Sequence, residues 1–288
     1  MKKLFEFIIE KAILLSGIAS IVFVILIFVF LLKEGLALFQ FTSVPSFLFG
    51  QKWFPISDPP LFGILPLILG SLLVTLGATV IAVPLGIAAA IYVAEVAPLW
   101  LRDILKTAIE LLAAIPSIVL GFIGIVTLAP FLKNVFHLSS GLTALAGSIM
   151  LAFMAMPTIV SIIEDAIVSV PKSYKEGALA MGATHWQAIY RVILPAAASG
   201  ILAAIMLGIG RVIGETMAVL MITGNAAVMP NSILQPVRTL TATIAAEMGE
   251  AVSGSPHYYS LFAIGIILFI ISFIINLTAD WFMHRKVK

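Results

Sequence analysis

A polar segment divides two long apolar runs, and its residues 171–195 read PKSYKEGALAMGATHWQAIYRVILP. Ser173 and Glu176 have the spacing of a capping box directly after a proline, which predicts the start of a helix. Side chains that would share one face of a helix recur at steps of three and four residues along the segment. We therefore expect one amphipathic helix near 173–190. Gly182 would lie in the middle of this helix, where the missing side chain lets another surface approach closely.

Apolar runs flank the polar segment and recur along the whole chain, each about twenty residues or longer. Of the 288 residues, 61% are hydrophobic and 10% are charged, and the mean hydropathy is +1.18. A soluble domain carries about 25% charged residues, so lipid is the expected surrounding of this chain. The runs lack the alternation of apolar and polar residues that is typical of a membrane β-barrel. We predict six spans, near 12–32, 67–94, 107–132, 140–163, 199–223 and 258–281.

The distribution of Lys and Arg orients these spans, because cytoplasmic loops are enriched in basic residues. With the N-terminus inside, eleven basic residues fall on the inner side and four on the outer side. The inner residues are Lys2, Lys3, Lys11, Arg102, Lys106, Lys172, Lys175, Arg191, Arg285, Lys286 and Lys288. The outer residues are Lys33, Lys52, Lys133 and Arg238. The sequence therefore predicts an all-α polytopic membrane protein with about six transmembrane helices, both termini cytoplasmic, and a retained anchor at 12–32.

Two charged residues, Arg211 and Glu215, interrupt the fifth predicted span. If the span is one continuous helix, the spacing of four residues places both side chains on the same face. A charge at mid-bilayer costs about 2.5–3.5 kcal/mol on insertion scales, so such residues normally face the interior of a bundle and mark a pathway. The alternative is a structural pair that neutralises itself. Gly210 and Gly214 form a G-x-x-x-G step that lets another helix pack closely.

The chemistry of these two side chains favours an oxyanion that still carries a proton. The guanidinium of Arg211 offers a planar fork of donors, whereas the carboxylate of Glu215 repels a fully deprotonated anion. Phosphate has a second pKa of about 6 and keeps at least one proton at neutral pH, which it can donate to a carboxylate. Sulfate carries no such proton. The couple therefore predicts selection of phosphate over sulfate, although the residues alone leave phosphate, sulfate and molybdate open.

The sequence offers no set of residues for metal binding or catalysis. It contains no cysteine. Its four histidines are scattered, as His137, His185, His257 and His284. No G-x-x-x-x-G-K-[ST] sequence is present to bind the phosphates of ATP. Glu247 and Glu250 lie three residues apart in a polar outer segment, where we expect a solvated face or an interfacial helix cap or, alternatively, contact with a partner protein. We therefore predict no catalytic residues and no metal ligands.

The polar segment resembles the EAA loop of ABC importer permeases, whose pattern is E-A-A, three residues, G, nine residues, then I-x-L-P. This sequence has Gly177 in place of the first alanine and Val192 in place of the isoleucine. In that family the loop is a short coupling helix, so the resemblance implies a type I ABC importer permease fold. It also implies that four residues dock onto an ATP-binding subunit, namely Glu176, Gly177, Ala178 and Gly182. The alternative is an amphipathic helix that lies on the lipid headgroups.

A second resemblance is carried by residues 210–219, GRVIGETMAV, and by residues 236–249, PVRTLTATIAAEMG. Together with the outer segment from Trp53 to Pro66, they are similar to the C-type permease of the phosphate-specific ABC importer. The similarity covers the chain from about residue 45 onward. It implies that three residues contribute to the passage of phosphate: Arg211, Glu215 and Thr216.

The same resemblance implies partners and a cellular location. In that family the permease forms a heterodimer with a related A-type permease, above two ATP-binding subunits and below a periplasmic or extracytoplasmic phosphate-binding protein. This chain would bind no cofactor, with ATP and Mg²⁺ on the partner ATPase, and would contact membrane lipid but no nucleic acid. We expect a multi-pass protein of the cell (inner) membrane. Residues 1–65 would form an anchor and outer segment, and residues 66–285 a permease core with the coupling helix near 173–190.

The expected function is a transmembrane permease subunit of an ATP-driven importer for inorganic phosphate, without enzymatic activity of its own. A sulfate or molybdate permease is the nearest alternative. An intramembrane enzyme built on Arg211 and Glu215 would need a paired carboxylate, a metal triad or a serine nucleophile, and the spans contain none of these. An ion-coupled secondary transporter would need no coupling helix, and no second inverted repeat is visible in the sequence.

Overall fold

Helices form most of the computed structural model, which describes residues 2–285. The first half of the chain contains α1 (Lys2–Leu36), α2 (Val44–Phe49), strands β1 (Trp53–Phe54) and β2 (Leu61–Phe62), α3 (Leu65–Ile91), α4 (Leu99–Ala113), α5 (Ser117–Ile123) and α6 (Ala129–Val135). The second half contains α7 (Ala144–Val168), α8 (Lys172–Ala180), α9 (His185–Ala188), α10 (Leu194–Ala196), α11 (Ala198–Gly214), α12 (Met217–Ile222), α13 (Leu240–Glu247) and α14 (Pro256–Arg285). Three π-helical turns occupy Tyr92–Val96, Gly124–Leu128 and Ile189–Ile193, and a 3₁₀ turn occupies Ala37–Gln40.

Five helical stretches of the described residues are long and apolar enough to cross a membrane, and a bent pair supplies a sixth. The five are Ile9–Gln40, Leu65–Val96, Ser117–Val135, Ala144–Val168 and Pro256–Thr278. The pair consists of His185–Ala196 and Ala198–Gly214, which are bent by 70° relative to each other. The predicted all-α fold with about six transmembrane helices is confirmed, and six crossings place both ends of the chain on one side. Lys286 and Lys288, used to predict the orientation, lie outside the described residues.

The third predicted span, 107–132, is wrong at its N-terminal end. Residues up to Ala113 belong to α4, and a new helix begins at Ser117, directly after Pro116. Proline has no backbone N–H and disfavours helical geometry in the residue before it, so the helix ends here. The third crossing is Ser117–Val135, whereas α4 is an amphipathic helix none of whose residues is buried.

Helix α7 lies at the centre of the bundle and packs against both α3 and α11. Ile159 of α7 is buried between Gly86 of α3 and Gly208 of α11. A Cβ atom added at Gly86 would lie 2.7 Å from the Ile159 side chain, and one added at Gly208 would lie 2.6 Å from it. Small residues therefore let the three helices approach closely, as they commonly do between membrane helices.

Helix α1 packs along α14 and leaves most of its own residues exposed. The rings of Phe28 and Phe269 lie 4.7 Å apart between centroids, and Phe30 meets Phe262 edge-on at 5.4 Å. Aromatic pairs at these separations are favourable beyond the area that they bury. This contact attaches the first span to the last one, and the division of the chain at residue 65 stays a prediction.

An ion-pair cluster joins α4 to the cytoplasmic end of α7. Glu164, whose side chain is 2% exposed, accepts hydrogen bonds from Arg102 Nη2 at 2.5 Å and from Lys106 Nζ at 2.8 Å. Lys106 also donates to Asp165 Oδ1 at 2.9 Å. The hydrogen bonds to Glu164 and Asp165 raise the pKa of Lys106 above its ordinary value of 10.5, so the cation persists at physiological pH. Because losing one partner of a buried ion pair is costly, the cluster keeps α4 in place.

A second cluster joins the outer segments around Glu247 of α13. Its carboxylate accepts hydrogen bonds from Trp53 Nε1 at 3.1 Å and Arg238 Nη1 at 2.5 Å, and lies 2.9 Å from His257 Nε2. These partners come from the β1–β2 hairpin, the segment before α13 and the start of α14. Glu250, in contrast, is exposed. The predicted solvated face therefore applies to Glu250 and is wrong for Glu247.

Replacing Glu247 by Gln is expected to lower the thermal unfolding midpoint of the detergent-solubilised protein by about 5 °C. The amide keeps an acceptor for Trp53 but loses the charge that pairs with Arg238, at a cost of about 2 kcal/mol. Glu250→Gln is the matched control and should shift the midpoint by less than about 1 °C, because exposed substitutions are usually neutral. Equal midpoints for the two variants would show that this cluster does not hold the outer segments together.

Candidate functional site

The fifth predicted span, 199–223, is not one continuous helix, and Arg211 and Glu215 do not share a helix face. Helix α11 ends at Gly214, and Glu215 adopts an extended backbone with φ −68° and ψ 133°. Its carboxylate oxygen Oε1 accepts hydrogen bonds from the backbone of Thr216 at 3.0 Å and of Ala218 at 3.2 Å, at the start of α12. Bonds from a side chain to nearby backbone donors compete with helical geometry, which gives a physical reason for the break.

The guanidinium of Arg211 lies on an exposed face of α11 and is oriented by α7. Its Nη1 donates a hydrogen bond to Thr158 Oγ1 at 2.9 Å. Within residues 2–285 Arg211 takes part in no ion pair, so the alternative of a self-neutralising pair with Glu215 is not supported. A guanidinium has five N–H donors, and most of those of Arg211 are available to an anion.

Gly210 and Gly214 form an open strip beside Arg211. Both glycines are exposed, and a Cβ atom added at either one would have no neighbour within 4 Å. The close helix packing predicted for this G-x-x-x-G step therefore does not occur within the described part of the chain. The strip and Arg211 share one exposed surface, which is accessible to a substrate or to a second subunit.

Three buried threonines lie beside the break: Thr239, Thr241 and Thr243. Thr241 Oγ1 donates to the main-chain oxygen of Glu215 at 2.8 Å and so attaches this extended residue to α13. Thr216, which the resemblance places in the passage, donates its own hydroxyl to the main-chain oxygen of Gly214 at 3.1 Å. The even spacing of the three threonines is visible in the sequence, but the contact of Thr241 with Glu215 is not, because it joins residues 26 apart.

The EAA-like segment, residues 171–195, does not contain the single continuous helix predicted near 173–190, because the helix is interrupted between α8 and α9. Helix α8 ends at Ala180, and α9 begins at His185. Between them Gly182 has φ +88°, in the left-handed region that favours glycine. Gly182 is therefore needed for a turn of the backbone, and its predicted place in the middle of a helix is wrong.

The helix starts of this segment also differ from the prediction. Helix α8 follows Pro171 without a side-chain cap, so Ser173 and Glu176 do not form the predicted capping box. A capping box is formed instead at the start of α9, where Thr184 and Gln187 each bond the backbone of the other. The rule that predicts such boxes applies equally to a Thr followed three residues later by Gln.

Most of α8 and the following turn face outward. Glu176, Gly177 and Gly182 are exposed, whereas Ala178 is buried. The structure therefore places three of the four predicted docking residues on one accessible segment. Large apolar side chains are exposed beside them: Tyr174, Leu179, Met181, Trp186 and Tyr190. Clustered apolar exposure of this kind marks a surface that contacts a protein or a membrane.

Comparison with protein families gives one match over most of the chain. The family described as "binding-protein-dependent transport system inner membrane component" matches residues 82–288, which is more than half of the sequence. The matched region includes α7, the EAA-like segment, Arg211 and Glu215.

Two relatives are similar over most of their length. The probable ABC transporter permease protein YqgH of Bacillus subtilis (strain 168) is 42% identical over 260 residues, which cover 90% of this chain and 84% of that protein. The phosphate transport system permease protein PstC of Mesorhizobium japonicum is 40% identical over 259 residues, which cover 83% of this chain and 78% of that protein.

Two solved structures share the fold. A chain of a bacterial alginate ABC transporter, in complex with its pentasaccharide-bound periplasmic protein, aligns with a TM-score of 0.69 at 17% identity over 97% of this chain and 95% of that one. A chain of the inward-facing MetNI methionine ABC transporter aligns with a TM-score of 0.58 at 21% identity over 78% and 95%. At these identities the likeness establishes the type I ABC importer permease fold alone. By its sequence and its fold, this chain belongs to the inner membrane components of binding-protein-dependent transport systems, which are permease subunits and not enzymes.

Proposed function

We propose that this chain is the C-type permease subunit of an ATP-driven importer of inorganic phosphate. The observation that carries the proposal is the guanidinium of Arg211, which Thr158 orients on an exposed face of α11. An arginine with most of its donors unused is suited to bind an oxyanion. The relatives named as phosphate transport system permeases support phosphate as that oxyanion.

In this proposal Glu215 provides the preference for a protonated anion. Its Oε1 takes both backbone hydrogen bonds at the start of α12, while Oε2 has no hydrogen bond within the described residues. Oε2 can therefore accept a hydrogen bond from the O–H group that phosphate keeps at neutral pH. Sulfate lacks this proton and would bring its full charge near a carboxylate. Thr216 shapes the turn between Arg211 and α12 through its bond to Gly214. We propose that it lines the passage there.

Partner subunits complete the proposed importer. Membership of the family implies an ATPase and a substrate-binding protein. We propose a related A-type permease as the second membrane subunit, two ATP-binding subunits on the EAA-like segment, and a phosphate-binding protein on the outer side. ATP and Mg²⁺ are then bound by the ATPase, and this chain binds no cofactor.

Transport by the complete complex in proteoliposomes tests the substrate. With ATP inside and the binding protein outside, phosphate is expected to accumulate at least tenfold faster than sulfate or molybdate at the same concentration. Faster accumulation of sulfate or molybdate would assign the chain to the alternative permease class. Accumulation driven by an ion gradient without ATP would overturn the proposal in favour of a secondary transporter.

A further inference from the structure

Helix α8 of the EAA-like segment is attached to the membrane bundle through few contacts. Ala178 is the only buried residue of this helix. A cavity of about 360 Å³ separates part of α8 from the cytoplasmic ends of α3, α4 and α7. Glu95, Arg102 and Lys175 are among the residues that line it. Helix α8 packs on the π-helical turn Ile189–Ile193 and on α9, but within the described residues it has no broad packed interface with α3, α4 or α7.

One of these contacts is an ion pair between Lys175 of α8 and Glu95. Glu95 lies in the π-helical turn Tyr92–Val96, which continues α3 at its cytoplasmic end. The Glu95 side chain is 10% exposed and that of Lys175 is 31% exposed. Partial shielding from water strengthens such a pair relative to one on an open surface. No other ion pair joins α8 to the rest of residues 2–285.

The position of Glu95 connects α8 to the centre of the bundle. Helix α3 packs along α7, where Gly86 contacts Ile159. The covalent connections of α8, in contrast, run through turns at both ends, next to Pro171 and at Gly182. Turns can bend without moving the helices that they join, whereas an ion pair resists separation of its two ends.

We infer that the Lys175–Glu95 pair transmits the displacement of α8 to α3 and thereby couples ATP hydrolysis to movement of the membrane bundle. The inference rests on the proposed docking of an ATP-binding subunit onto this segment. Without the pair, α8 would follow the ATPase while α3 stayed behind. Phosphate transported per ATP hydrolysed would then fall although the subunits remain assembled.

The test measures this ratio for the complete complex in proteoliposomes. Lys175→Met and Glu95→Gln are each expected to lower it at least fivefold, while co-purification of the ATPase and its hydrolysis rate stay within twofold of the unaltered complex. Lys172→Met is the matched control, because Lys172 is an exposed cation of the same helix and takes part in no ion pair within the described residues. It should leave the ratio unchanged.

Exchanging the charges of Lys175 and Glu95 distinguishes a role of the pair in coupling from a role in stability alone. The double variant Lys175→Glu with Glu95→Lys restores the pair in reverse and is expected to recover at least half of the original ratio. An unchanged ratio in the single variants, or no recovery in the exchanged one, overturns the inference. The inference is also overturned if the single variants lose assembly and ATP hydrolysis together while the phosphate transported per ATP stays constant. A pair with a purely structural role would give this result. The docking proposal fails separately, if the ATPase does not co-purify with the unaltered chain.

Discussion

Arg211→Gln is expected to reduce phosphate uptake by the complete complex about a hundredfold without preventing its assembly. Gln is uncharged, so the site loses charge-assisted hydrogen bonds to the anion. Two such bonds at about 1.5 kcal/mol each amount to about 3 kcal/mol, or roughly a hundredfold in binding. Within this chain the substitution removes a single hydrogen bond, to Thr158, from an exposed face of α11, so the fold should persist.

Uptake of radiolabelled phosphate over a concentration series measures this effect, and size-exclusion chromatography checks that the complex is intact. Arg211→Lys is the matched control. It keeps the positive charge but replaces the planar fork by a single ammonium, so an intermediate loss of about tenfold is expected. Uptake by Arg211→Gln at the capacity of the unaltered complex would contradict a role of Arg211 in the pathway.

Apolar runs were sufficient to predict the membrane helices but not the points at which they end. Four of the six predicted spans coincide with continuous apolar helices. Proline was the ambiguous signal, because Pro116 separates two helices whereas Pro84 and Pro157 lie inside continuous ones. In a membrane, whether a proline ends a helix depends on whether neighbouring groups form hydrogen bonds with the carbonyl that the proline leaves free. This is a property of the packed bundle and not of the local sequence.

Their charge is enough to single out Arg211 and Glu215 in the sequence. Their geometry, in contrast, depends on local competition between side-chain hydrogen bonds to the backbone and the hydrogen bonds of the helix. The prediction of a shared face assumed that the helix continues through Gly214. The backbone bonds of the Glu215 carboxylate end it there instead. In the EAA-like segment the relevant signals were present in the sequence: a glycine at position 182 and a Thr–Gln capping box just after it. Periodicity outweighed them in the prediction, although a glycine before a capping box is typical of two helices joined by a turn.

The ion-pair clusters could not be predicted because their partners come from different elements, and several of these partners lie far apart in the chain. Glu164 meets Lys106 and Arg102 across 58 and 62 residues, and Glu247 meets Trp53 across 194. No periodicity relates such positions, and an isolated acidic residue near a helix end is usually solvated. These contacts follow from the packing of α4 on α7 and of the outer hairpin on α13, which only the fold reveals.

Gly177→Trp is expected to abolish co-purification of the ATP-binding subunit and, with it, ATP-dependent uptake. Gly177 lies inside α8 with ordinary helical geometry, and a Cβ atom added there would have no neighbour within 4 Å. A large side chain therefore fits this chain without strain, but it projects from the face that is proposed to dock onto the ATPase. Gly182 is a poorer site for this test, since its φ of +88° would strain any other residue.

Gly177→Ala is the matched control, because a methyl group adds little volume and alanine favours a helix over glycine by up to about 1 kcal/mol. This variant should bind the ATPase as the unaltered chain does. Both variants should unfold at or slightly above the original midpoint, which would show that loss of binding by Gly177→Trp arises from the blocked surface and not from the fold. If the Trp variant binds the ATPase normally, docking at this face is wrong. The exposed apolar side chains of the segment would then be explained by contact with lipid headgroups, as expected for an amphipathic helix at a membrane surface.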